Sequence, residues 1–129
     1  MIETLKDDKI DEILMSDRTF IILFYSDKLI DLDRVMEMFE GFNEKLKDKI
    51  DMYKCAIDKE TGKLSQYFQM NVLPGAVMMK NNKPYVNIAG PLSAEMYEEA
   101  IKNGIVKLMK EKKEVTSFSS NYSGGYKSL

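Results

Sequence analysis

Any side-chain chemistry in this 129-residue chain has to come from one cysteine, Cys55, and from carboxylates, because the sequence holds no histidine. That absence excludes a Ser-His-Asp triad, histidine general-base catalysis and the commonest zinc and haem ligand sets. A single cysteine also excludes an internal disulfide and an internal dithiol pair. A monothiol mechanism through Cys55 needs an accessible thiol in an electropositive setting. Cys55 lies on a predicted strand, where its neighbour Lys54 points to the opposite face. Cysteine is also among the residue types most often buried, so a core thiol is expected. The acidic pairs Asp7-Asp8, Asp31/Asp33 and Glu98-Glu99 have the right atoms for cation binding or proton transfer. Each falls on a predicted helix or its first turn among other charges, which reads as solvated surface. Asp31 or Asp33 also suits the positive end of a helix dipole.

The charge balance narrows the classes further. Nineteen basic against twenty-one acidic residues leave a net charge of −2, with no basic excess to neutralise a phosphate backbone, so no nucleic-acid partner is expected. The first dozen residues are acidic, with no apolar stretch of signal-peptide length. The longest apolar run, residues 20–25, is far shorter than the roughly 20 residues that span a bilayer. The expectations are no membrane insertion, a cytoplasmic location and no cofactor or metal.

The elements that would position these residues can be read from periodicity. Residues 4–15 read as a short amphipathic helix. The β-branched and aromatic run at 19–25 suits a strand buried on both faces. Residues 29–47 carry Leu32, Val35, Phe39, Phe42 and Leu46 at steps of three and four, a strong helix pattern. A second strand is expected at 50–57 and a short helix at 60–68. Val72-Leu73-Pro74-Gly75 breaks the chain. Strands at 76–80 and 85–89 flank Asn81-Asn82-Lys83-Pro84 as a hairpin. Ser93 can cap a last helix, which Asn103-Gly104 is expected to end or interrupt. Ten methionines spread over all elements read as core filler. From residue 115 the composition turns to Ser, Gly and Tyr, giving a domain of residues 1–114 and a flexible tail of 115–129. The tail tyrosines, Tyr122 and Tyr126, offer a route to a homo-oligomer.

The order α, β, α, β, α, β, β, α forces a parallel pair followed by an antiparallel hairpin, hence a mixed sheet with helices on both faces. With a proline before the hairpin, that order resembles the thioredoxin-like family, a three-layer α/β/α sandwich with a mixed central sheet. Residues 24–32, Phe-Tyr-Ser-Asp-Lys-Leu-Ile-Asp-Leu, are similar without gaps to the segment F-W-A-x-W-C-G-P-C of thioredoxins. Ala56-Ile57-Asp58 resembles the N-I-D that closes the family's next strand. Val72-Leu73-Pro74 with the following hairpin resembles I-P-T-hydrophobic-F-K-N-G-E, and Gly90-Pro91-Leu92-Ser93 resembles G-A-L-S.

The departures carry the functional expectation. By the resemblance, Leu29 stands where the attacking cysteine would be, Leu32 where the resolving cysteine would be, and Leu23 where a buried aspartate would move protons. Thiol–disulfide exchange needs an attacking and a resolving thiol, so the resemblance implies a redox-inactive member working as an accessory or protein-interaction module. It further implies a cis peptide before Pro74. A protein partner is expected near the degenerate position, at Leu29, Ile30, Leu73, Pro74 and Gly75. The same residues also read as packing for the helix start and the turn, and both readings stand at this stage. The alternative function is a thiol-dependent oxidoreductase using Cys55.

Overall fold

A computed structural model describes residues 2–125 of the chain. Its strands are β1 (Glu3–Thr4), β2 (Phe20–Tyr25), β3 (Asp51–Ala56), β4 (Gly75–Lys80) and β5 (Lys83–Ala89). Its helices are α1 (Ile10–Leu14), α2 (Leu32–Leu46), α3 (Gly62–Phe68) and α4 (Ala94–Gly125). The sheet order is β1-β3-β2-β4-β5. β1 and β2 both run parallel to β3, and β4 runs antiparallel to β2 and β5.

Every residue of β2 is buried, as its unbroken apolar sequence requires at the centre of a sheet covered on both sides. Alternation along the strand then builds two cores. Ile21, Leu23 and Tyr25 pack with Val35 and Phe39 of α2 and with Tyr97 and Ile101 of α4. Phe20, Ile22 and Phe24 pack with Ile13 of α1 and with Leu64 and Phe68 of α3. The three layers follow directly.

The N-terminus departs from the predicted helix over 4–15. Residues 3–4 pair with Tyr53 and Lys54 of β3, and only Ile10–Leu14 are α-helical, after a 3₁₀ turn at Asp7–Lys9. Ile2 and Leu5 are buried in opposite cores, which a strand allows and a continuous helix would not. Two residues are too few to show an alternation, so the sequence pattern missed β1. The helix predicted from residue 29 begins at Leu32, because Ser26 holds a turn before it. The Leu29 N–H donates to Ser26 O at 3.1 Å and the Lys28 N–H to Ser26 Oγ at 3.1 Å.

The hairpin link is tighter than expected. Asn81 and Asn82 both have positive φ, 52° and 63°, the geometry of a two-residue turn that matches strand twist. Lys83 and Pro84 therefore belong to β5, and Pro84 is tolerated because β5 is an edge strand. Asn103-Gly104 does not end the last helix. A Cβ at Gly104 would sit 2.4 Å from Val86 Cγ2 and 3.2 Å from Tyr85 O, so this glycine lets α4 press against β5. The helix start agrees with expectation, since the Met96 N–H donates to Ser93 Oγ at 3.2 Å. α4 runs on to Gly125, so the boundary read from composition at residue 114 falls inside it. Residues 126–129 lie outside the described part.

Candidate functional site

The C-terminal ends of β2 and β3, the start of β4 and the end of β5 lie at one end of the sheet. The register sets this: Gly75 pairs with Phe24 on one side and with Ala89 on the other. The turn at residues 26–31 and the loop before β4 therefore emerge at the same end. In an open α/β sheet, that is where the crevice beyond the strand ends takes ligands.

The loop before β4 is fixed from beneath. The Leu73–Pro74 peptide bond is cis. Pro74 O accepts the Gly90 N–H at 2.7 Å. The hydroxyl of Tyr97, fully buried at the start of α4, lies 3.1 Å from Pro74 O and 2.8 Å from Gly90 O. Burial pushes that phenol up to about 12, so it stays a neutral donor. Gly75 is required by its surroundings, because a Cβ there would meet Met70 Sδ at 2.3 Å and Val72 O at 3.1 Å. No hydrogen bond engages the Leu73 N–H or C=O among the described residues.

The expected site residues divide by burial. Pro74 and Gly75 are buried, Leu29 and Leu73 half-buried, and Ile30 fully exposed at 104%. Leu29 packs on the α2/α4 core and Leu73 on the α1/α3 core. They are brought to one end of the sheet but support opposite layers. Leu32 joins Leu29 on the α2/α4 core, and Leu23 is a fully buried member of it. An apolar network thus occupies all three positions at which the resemblance would put thiols or a proton carrier. Val72, half-exposed just before the cis bond, adds a second apolar side chain to the open surface.

Electrostatics at this end are modest. The Asp31 carboxylate accepts from Arg34 at 2.7 and 3.2 Å, and that hydrogen bond holds its pKa below the usual carboxylate value.

Cys55 is elsewhere. It is completely buried in the α1/α3 core, and desolvation pushes its thiol up to about 12, against a smaller opposing effect of a hydrogen bond from Thr61. At neutral pH the thiolate fraction is on the order of one in 10⁵. That environment suits a structural thiol and works against the oxidoreductase alternative. Among the described residues no cluster of acidic or thiol side chains has the grouping to hold a metal ion, and no helix is long and apolar enough to cross a membrane.

Sequence reasoning missed two anchoring residues. Tyr97 was legible only as part of an apolar stripe, with nothing to mark its hydroxyl as the clamp on two carbonyls. The other is Asp7, whose carboxylate accepts the Lys63 and Leu64 N–H groups at 3.0 and 2.9 Å and so caps α3 from far away in sequence. The positive ends of helices accept such caps, but a partner more than fifty residues away leaves no local motif.

No protein-family model matches the sequence, and no curated protein matches it. Solved structures do. One is the thioredoxin Mala s 13 of Malassezia sympodialis, with a TM-score of 0.69 and 17% identity over 81% of this chain and 91% of that one. Another comes from work on the thiol-resolving mechanism of yeast mitochondrial 1-Cys peroxiredoxin via glutathione and thioredoxin systems. It gives a TM-score of 0.68 and 17% identity over 79% of this chain and 94% of that one. Together with the mixed sheet, the helices on both faces and the proline loop, these likenesses give the chain a thioredoxin-like fold.

Proposed function

We propose that this chain is a redox-inactive thioredoxin-like protein that acts by binding a protein partner at the sheet end formed by Leu29, Ile30, Leu73, Pro74 and Gly75. One observation carries the reading: Leu23, Leu29 and Leu32 form a single apolar network where dithiol chemistry would need two thiols and a proton carrier. The only cysteine is sealed in the opposite core.

Two features favour binding at this end. Ile30 and Val72 expose apolar side chains beside a loop whose Leu73 main chain has no hydrogen bond among the described residues. An extended peptide would pair with that main chain and cover the apolar side chains, the logic of strand addition. Pro74 and Gly75 serve by holding the loop rather than by touching the partner, and the occupant is a protein segment of unknown identity.

Ile30→Asp is the test, since Ile30 touches nothing that the fold needs, whereas Leu29→Asp would put a charge against the core. Partners are captured from host lysate with thiols blocked at lysis, then resolved without reductant and identified by mass spectrometry. The expected result is a partner held without a disulfide and lost in Ile30→Asp and Val72→Asp. A band that disappears on reduction and in Cys55→Ser would overturn the proposal.

A further inference from the structure

Gly41 stands in the middle of α2 with no internal reason to be glycine. A Cβ built there meets nothing within 4 Å, and glycine in a helix interior is unfavourable relative to alanine. Gly104, by contrast, is required by its contact with β5. What sets Gly41 apart is the sequence on either side of it.

Six of the nine charged residues within eight places of Gly41 fall in pairs of opposite sign about it, while Glu40, Glu44 and Lys47 stand opposite Phe42, Met38 and Val35. Glu37 and Lys45 lie four residues to either side, Arg34 and Asp48 seven, and Asp33 and Lys49 eight. At about 100° per residue, Arg34, Glu37 and Lys45 of α2 all point within roughly 40° of the direction of Gly41, and Asp48 follows in the turn just past the helix end. All are exposed. Suppose two copies of α2 cross antiparallel at Gly41. The residue n places before it on one helix then faces the residue n places after it on the other. Glu37 meets Lys45 of the second copy, Arg34 meets Asp48, and each contact is repeated by the twofold axis. Missing side chains at the crossing point allow the backbones to approach.

The surroundings accommodate this arrangement. A cleft of about 480 Å³ opens beside Gly41, between α2 and the start of α4, with Met38 and Phe42 among its lining residues. Glu37 and Asp48 have no ion-pair partner among the described residues. Arg34 and Lys45 do, with Asp31 at 2.7 Å and Glu98 at 3.6 Å, but exposed pairs of this kind exchange at little cost.

We propose that this face of α2 is a docking surface for a second copy of the chain, in a twofold dimer crossed at Gly41 and held by Glu37–Lys45 and Arg34–Asp48 pairs. The contact is independent of the partner site at Ile30. A single helix crossing is small beside a standard interface, so the dimer is weak and its affinity falls with salt.

Sedimentation equilibrium of the full chain, over a concentration series at low and high salt, tests it. Wild type is expected to self-associate at low salt. Glu37→Lys and Lys45→Glu each set like charges opposite one another twice, and each weakens association at least about tenfold. The double variant restores it, and mixing the two single variants produces a heterodimer. Gly41→Leu, which the open space tolerates in the monomer, also blocks association with the circular dichroism spectrum unchanged. Wild type remaining monomeric throughout the low-salt series overturns the proposal. So does a dimer indifferent to both charge reversals, which would place the contact on another face, such as the β5 edge.

Discussion

Replacing Cys55 by alanine isolates the energetic consequence of burying its thiol. The group has an ordinary value of 9.0 and is pushed up to about 12 in the fold, chiefly by desolvation. Because the folded-state value is the higher one, the unfolded chain loses its proton first as pH rises. Stability from the neutral thiol is therefore complete below pH 9 and is lost as pH rises toward 12. Three units correspond to about 4 kcal/mol at full ionisation, of which about 3 kcal/mol is gone by about pH 11. Cys55→Ala lacks this loss but forfeits the packing of a fully buried sulfur, about 1 kcal/mol at neutral pH. The two proteins should therefore change order: wild type more stable at neutral pH, the variant more stable by about 2 kcal/mol near pH 11. Tyr25, raised chiefly by burial and in smaller part by Asp27 and by Cys55 itself, adds only a small residual. Tyr53, Tyr85 and Tyr97, all raised chiefly by burial, titrate alike in both proteins and cancel in the difference. Urea denaturation at a series of pH values between 7 and 11 measures it. Parallel stability curves for the two proteins would refute the reasoning, because an accessible thiol titrates alike in both states.

Other substitutions probe single contacts. Asp7→Ala removes the cap on the Lys63 and Leu64 N–H groups and should cost about 1–2 kcal/mol by urea denaturation, with Asp7→Asn recovering part. Tyr97→Phe deletes the hydroxyl between Pro74 O and Gly90 O. Each carbonyl keeps one backbone donor, so the expected loss in urea denaturation is about 1 kcal/mol. Two helix-interior glycines should respond with opposite signs to alanine, read as changes in thermal midpoint. Gly41→Ala stabilises the fold by about 1 kcal/mol, whereas Gly104→Ala forces a Cβ against Val86 and the Tyr85 carbonyl and destabilises it by about 1–3 kcal/mol.

How much was legible follows the range of the interactions. The apolar run at 20–25 announced a central strand, and its alternation set which residues face α2 and α4. The stripe from Leu32 to Leu46 announced α2, and Ser93 announced the start of α4. β1 left no trace, because two residues paired to a neighbour carry no periodic signal. At Gly104 the local signal even pointed the wrong way. Read alone, Asn103-Gly104 is a helix stop, while in the fold it is the contact that lets α4 lie on β5.

For the site the division is sharper. Sequence by itself settled the types: no histidine, one cysteine, and leucine at positions 23, 29 and 32. It also placed a proline–glycine break ahead of the hairpin. Only the tertiary structure decided exposure, and with it the difference between a residue that packs and one that can be touched. Leu29 and Ile30 at the expected helix start and Leu73 in the proline loop read alike as apolar residues of one surface, yet the first and third pack on opposite cores while Ile30 is left bare. The buried state of Cys55, the clamp of Tyr97 on two carbonyls and the cap from Asp7 belong to the same group. Each depends on segments far apart in the chain meeting in space, and local patterns of residue type record only what neighbours in sequence impose on one another.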